Sequence, residues 1–276
     1  MSLPLYERLQ ESAAYLRNRC NFTPHTCIIL GTGLGDFGER VRVERRVPYG
    51  EIPHFAHSTV ASHAGELLLG HVGNEPVAVM SGRLHYYEGW SMEQVVYPIR
   101  VMRMLGVARL IITNASGGIN PHLQKGDIVV VRDHINLLPE NPLRGPNDER
   151  IGPRFPDMSE PYDAALRGQA LSAARRLGIR ASEGVYSALQ GPQLETPAEY
   201  AMLRVLGSDC TGMSSIPEAL AARHAGMQVL MLSMVTNVSF PPSAVRYTTL
   251  EEVIEVAQAA GSRLSELIAD ILSGSR

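Results

Sequence analysis

A chain of 276 residues with 45% hydrophobic content can fill a sizeable core, which excludes a disordered or low-complexity protein. Its formal net charge of −3, with Lys and Arg dispersed rather than striped, makes a nucleic-acid duplex or an anionic membrane a poor partner, so any anion site must be local. Cys20, Cys27 and Cys210 form no C-x-x-C pair, and neither a signal peptide nor a membrane-long apolar run is visible, so a reducing, cytoplasmic setting is expected.

Residues 1–20 read as an amphipathic helix of mixed charge, and apolar, β-branched residues make 26–30 a strand. That strand runs into GTGLGDFG, residues 31–38, whose backbone amides could face an anion and whose Thr32 adds a hydroxyl. A plain sharp turn explains the glycines equally well. A dinucleotide fingerprint would need glycine where Asp36 stands, and no Walker lysine follows, which undermines a dehydrogenase reading. His54, His57 and His63 lack a nearby ligating carboxylate or cysteine, so no metal site is expected.

Residues 66–72 and 77–81 read as strands joined by Gly73, Asn74 and Glu75, a hairpin that makes the sheet mixed. GRLHYYEGW, residues 82–90, follows and sets Arg83, which can fork onto phosphate oxygens, beside His85, which can donate or take a proton. At a strand end the two could clamp an oxyanion; alternatively Arg83 pairs with an acid and His85 is satisfied in the core. A helix over 92–105, opened by a capping box of Ser91 and Gln94, leads to a strand at 110–113. NASGG, residues 114–118, is small enough to let amides approach a ligand, or simply to turn. After a strand at 128–131 comes a long irregular stretch, 138–161, that holds Phe155 and has the length of a functional or partner-contacting loop.

A helix at 163–177 and a strand at 185–189 lead into QGPQLETPAEY, residues 190–200. Thr196 as N-cap, Pro197 as the first helical residue and Glu199 as the third form a capping box for a helix over 197–206. Glu195 therefore sits one residue before the positive end of that helix, on a loop stiffened by two prolines, as a fixed acceptor awaiting a donor. GMSSIPEALAARH, residues 212–224, sets Met213, Ser214 and Ser215 before a helix over 216–225, suited to an anion or a sugar hydroxyl, or to capping by Ser215. A strand over 229–236 leaves Asn237 at its end with donor and acceptor both available, a complement to Glu195 around a heteroaromatic ring. A last helix spans 250–272. Strands alternating with helices, and no linker, imply an α/β fold, a single domain over residues 1–276 with a central mixed β-sheet flanked by helices.

GTGLG, STVASHAGEL, GRLHYYEG, TNASGG, DHINLLPENPLRGPNDER, GPQLETPAEY, GMSSIPE and TNV lie in this order over residues 28–240. In sequence and order they resemble the trimeric purine nucleoside phosphorylases of the nucleoside phosphorylase superfamily. The resemblance implies a phosphate held by Thr32, Arg83, His85, the backbone near Ala115, and Ser214, with His63 in a loop above it. It places the ribose near Tyr87 and Met213, and Phe155 of a neighbouring subunit over the pocket of a homotrimer. Glu195, Asn237 and Tyr186 would grip the base at its edge, with Asn237, Glu195 and His85 as the catalytic groups. Asn237, rather than an aspartate, implies 6-oxopurine nucleosides such as inosine and guanosine, with phosphate as co-substrate and no metal or organic cofactor.

Two positions depart from the family pattern. Leu194 stands where a phenylalanine commonly stacks on the base, leaving an aliphatic wall. Leu250 stands where a histidine usually meets the ribose 5′-hydroxyl, with Thr248 and Thr249 just before it. A leucine there motivates a 5′-methylthionucleoside phosphorylase as the alternative, and a non-catalytic nucleoside-binding protein is the alternative of another class.

Overall fold

The computed structural model describes residues 3–56, 65–241, 243, 245–247 and 249–274, with the backbone alone at residues 35, 36 and 250. Its strands in chain order are β1 (Thr26–Leu30), β2 (Arg42–Pro48), β3 (Glu66–Val72), β4 (Glu75–Ser81), β5 (Arg109–Gly118), β6 (Ile128–Asn136), β7 (Ala181–Ala188), β8 (Cys210–Gly212) and β9 (Gln228–Val238). The helices are α1 (Leu5–Arg17), α2 (Met92–Leu105), α3 (Ala164–Arg176), α4 (Pro197–Val205), α5 (Ile216–His224) and α6 (Leu250–Ser273). The nine strands of the described residues share one sheet, ordered β2-β3-β4-β1-β5-β8-β7-β6-β9.

The sheet is mixed, as the hairpin implied. β3 and β4 pair antiparallel, while β1 runs parallel to β4 and β5, and β5 parallel to β9. Because β9 pairs with β5 as well as with β6, the last five strands of the order close into a ring. Length makes this possible: Arg109–Ile112 of β5 lie beside β1, Gly117 and Gly118 on the same edge meet β8, and the other edge is paired with β9. Apolar helix faces then cover both sides of the sheet. Leu9, Ala13 and Leu16 of α1 join α2 and α5 in one core, and Leu166, Ala170 and Ala173 of α3 join α6 in the other.

Two strands were not legible in the sequence. β2 sets charged residues around Val43 and Val47 and pairs, among the described residues, only with β3 at the sheet edge, and β8 has three residues held by neighbours on both sides. NASGG also proves to be strand, not turn, because β9 runs alongside it and β8 joins at Gly117. The glycines of the first motif have packing reasons of their own. A Cβ on Gly31 would sit 2.7 Å from Thr113 O, and Gly33, at φ +84°, lies against Ala257 of α6.

The parallel strands β1, β4, β5 and β9 end on the same side of the sheet, where ligands of open α/β sheets bind.

Candidate active site

The carboxyl ends of those strands, with the amino ends of α4, α5 and α6, enclose a cavity of about 440 Å³. One end of it gathers groups that can hold an anion. Thr32 follows β1, Arg83 and His85 follow β4, residues 114–117 belong to β5, and Met213 and Ser214 precede α5; all line the cavity.

Arg83 is buried, and its guanidinium is held from several sides. Its Nη2 donates to Thr113 O, while Nη1 lies 2.9 Å from Ser215 Oγ and 3.4 Å from both Ser214 Oγ and Glu218 Oε1. The two readings of Arg83 left open by the sequence are thus both present: it faces the cavity and it pairs with a buried acid.

Ser215 takes a left-handed backbone, φ 75° and ψ −39°, and the Ile216 N–H donates to Ser214 O at 2.9 Å. This is a γ-turn of the positive-φ kind, a strained geometry that persists only when its surroundings hold it. They do so here, since Ser215 Oγ accepts from Asn114 Nδ2 at 2.8 Å as well as from Arg83. Asn114 is fixed in turn by Ser233, whose hydroxyl donates to its Oδ1 at 2.6 Å. The outcome is that Ser214 is set beside the anion end by buried hydrogen bonds rather than by a mobile loop.

His85 Nδ1 lies 2.9 Å from Glu88 Oε1, and the ring stacks on Tyr87 with centroids 4.7 Å apart. Since a carboxylate can only accept, the proton of the neutral imidazole resides on Nδ1, and Nε2 keeps its lone pair. Burial, followed by the positive charge of Arg83, lowers the His85 pKa to about 4 against the pull of Glu88. The ring is therefore neutral near pH 7. Above its free value both folded and unfolded chains are neutral and it costs nothing; as pH falls, the unfolded chain takes a proton that the folded one refuses. We expect the drop in unfolding free energy between about pH 7.5 and about pH 5 to be roughly 2 kcal/mol smaller in His85→Gln than in the unsubstituted protein. Urea unfolding at both pH values measures this, and equal drops would remove His85 as the cause.

The other end of the cavity offers both donors and acceptors, in Asn237, Glu195 and Tyr200. The capping box forms as its residues dictate: the Thr196 N–H donates to Glu199 at 2.7 Å, and the Glu199 N–H to Thr196 Oγ1 at 3.2 Å. Glu195 is thereby held at the cavity wall, only 9% exposed, with the Thr211 hydroxyl 3.4 Å from its Oε1. Asn237 comes from the end of β9, whose register sets it beside Gly117. The Thr236 hydroxyl donates to its Oδ1 at 3.2 Å, and its Nδ2 donates to Ser239 Oγ at 3.0 Å. Tyr200 lines the same end, and its buried hydroxyl exchanges hydrogen bonds with Glu195, Asn237 and Ser239, the burial pushing its pKa up.

Residues 25–273 match the model of the phosphorylase superfamily. The chain is 47% identical over 231 residues to purine nucleoside phosphorylase 1 of Geobacillus stearothermophilus, covering 84% of each chain. It is 41% identical to the purine nucleoside phosphorylase of Rattus norvegicus over 97% of this chain and 94% of that one. The chain belongs to the purine nucleoside phosphorylase family. Among solved structures, a schistosoma purine nucleoside phosphorylase in complex with hypoxanthine superposes with a TM-score of 0.94 at 38% identity, covering 100% of both chains. Isoform 2 of the Schistosoma mansoni enzyme, in complex with cytosine and ribose-1-phosphate, superposes with a TM-score of 0.93 at 40% identity, over 98% of this chain and 97% of that one.

In this phosphorylase the cavity gathers Thr32, Arg83, His85, Tyr87, Ala115, Leu194, Glu195, Met213, Ser214 and Asn237, which the sequence scattered over some two hundred positions. Tyr186 is not among them. Its ring is wholly buried and its hydroxyl donates to Ser214 O at 3.3 Å, so it supports the serine turn. Phe155 is 87% exposed on the loop between β6 and α3 and does not line the cavity of its own chain. His63 lies outside the described residues, as does the side chain of Leu250. His54, read with it as a metal candidate, is instead 2.6 Å from Glu11.

Sequence reasoning missed Tyr200, Thr211, Thr236 and Val253, all of which line the cavity, as does Thr249, which the sequence placed just before Leu250. Tyr200 had a usable signal, since it follows Thr196 by one helical turn and so shares its face. Thr211 had none. It reaches Glu195 only because β8 is inserted between β5 and β7.

Proposed function

We propose that the chain catalyses the reversible phosphorolysis of 6-oxopurine nucleosides and deoxynucleosides, inosine and guanosine above all, to free base and ribose or deoxyribose 1-phosphate. One observation carries the reading: Glu195 and Asn237 share the base end of the cavity, each held by hydroxyl partners, with the arginine and serine cluster at the other end.

In this reading a phosphate oxygen attacks the anomeric carbon as the glycosidic bond breaks, and the bonding pair leaves with the purine. Arg83, Ser214, Thr32 and the backbone at Ala115 orient the phosphate, and its negative charge stabilises the oxocarbenium-like ribosyl group. The neutral ring of His85, its proton on Nδ1, accepts a hydrogen bond at Nε2 from a phosphate O–H. Asn237 donates to the five-membered ring as charge grows there, while Glu195 accepts from the N–H of the six-membered ring. Groups fixed before the reaction stabilise charge that exists mainly in the transition state, which is what raises turnover. Leu194, half exposed, gives the base an aliphatic face. The exposed Phe155 supports a homotrimer in which it closes a neighbouring subunit's pocket. No helix among the described residues is long and apolar enough to cross a membrane, which accords with a cytoplasmic enzyme.

Absorbance-monitored phosphorolysis tests the substrate class. Inosine and guanosine are expected to exceed adenosine and 5′-methylthioadenosine by at least about tenfold in kcat/KM, with turnover unchanged by excess chelator. Val253, an apolar residue of α6 in the cavity wall, is what favours the methylthio substrate instead, and a tenfold preference for it would overturn the assignment.

A further inference from the structure

We propose that Glu218 is a positioning residue for phosphate, holding the Arg83 guanidinium in place and offsetting part of its charge so that the anion is bound without being trapped. This rests on the phosphate end of the cavity assigned above.

Glu218 lies in the first turn of α5, does not line the cavity, and is as buried as Arg83. Its Oε1 is 3.4 Å from Arg83 Nη1, and its Oε2 is buried with no hydrogen-bond partner among the described residues. Burial raises its pKa, and Arg83 is the charge that pulls it back down. An acid is costly in such a place unless a cation needs it there.

The guanidinium shows what the acid does. Nη1 has two protons and three acceptors around it: Ser215 Oγ at 2.9 Å, with Ser214 Oγ and Glu218 Oε1 at 3.4 Å. With Thr113 O receiving Nη2, the plane of the guanidinium is pinned between β5 and α5. A simpler role is also on hand, since the Ser215 and Glu218 amides lean on the carboxyl and an acid or an amide at this helical position can cap. For an amide, charge offset predicts tighter phosphate binding and capping predicts no change.

Phosphate titrations by calorimetry, run without nucleoside, separate them on Glu218→Gln and Glu218→Ala. Gln keeps an acceptor and the cap but removes the negative charge from beside Arg83, so phosphate should bind about three- to tenfold more tightly and kcat should fall as product release slows. Ala removes the anchor as well, and phosphate should bind at least about tenfold more weakly, while the inosine KM of both variants stays within about twofold of the unsubstituted value. If Ala fails to fold, Gln alone decides. An unchanged phosphate constant in folded Glu218→Gln, with only its melting temperature moved, would overturn the proposal in favour of a cap. Because binding is read without turnover, failure of the purine assignment would show separately, as phosphate binding without phosphorolysis of any nucleoside.

Discussion

Asn237→Ala is expected to lose about 10²- to 10³-fold in kcat while leaving the phosphate dissociation constant within about twofold. The asymmetry follows from placement. Asn237 stands at the end of β9 in the base end of the cavity, away from the guanidinium at the end of β4, and its amide orientation is set by Thr236 and Ser239. A donor so fixed strengthens its bond only as the departing base becomes anionic, so its removal raises the barrier and hardly touches ground-state binding. Folding should suffer little, by about 1 kcal/mol, since the partners left behind are hydroxyls that can turn to other acceptors. Single-turnover phosphorolysis of inosine together with phosphate calorimetry checks both halves. Equal losses in the two would mean that Asn237 acts through the architecture of the site and not on the leaving group. Asn237→Asp is the informative companion, because a carboxyl group that accepts from a 6-amino group and, when protonated, donates to the five-membered ring suits a 6-amino purine better than a 6-oxo one.

Arg83→Ala should abolish measurable phosphate binding and also destabilise the fold by about 3 to 5 kcal/mol. Read from sequence alone the substitution looks like a clean probe of phosphate affinity. The structure makes it more than that, because it strands the buried Glu218 carboxylate and removes one of the hydrogen-bond donors that hold the strained turn at Ser215. The double variant Arg83→Ala with Glu218→Gln should recover part of that stability, since the orphaned charge is gone, and none of the phosphate binding. Urea unfolding and calorimetry on the two single variants and the double one measure the coupling. Additive stability losses would show that the two residues do not act as a pair.

The fold and the site were legible to different depths. Strands β1, β3, β4 and β6 and helices α2, α4 and α5 were readable because apolar periodicity, capping boxes and glycine stops are written within a few residues. β2 and β8 were not, because neither has a hydrophobic pattern and each exists through a partner strand. The turn that was one of the two readings of NASGG gave way to strand for the same reason: a pairing partner more than a hundred residues away outweighs small-residue flexibility.

Local chemistry sufficed for Glu195. A proline, a threonine cap and a glutamate three residues on fix one carboxylate at the mouth of a helix, and hydrogen bonds spanning three residues need no fold to predict them. The order of the motifs likewise carried the family. What the chain's own order could not reveal is which groups meet across it. Arg83 finds Glu218 at a separation of 135 residues and Ser215 at 132, Thr211 reaches Glu195 through an inserted strand, and the Tyr186 hydroxyl donates to Ser214 O. Those pairings are settled by the closing of the sheet and by the need to satisfy every buried charge and hydroxyl at once, conditions that exist only when all the strands are in place.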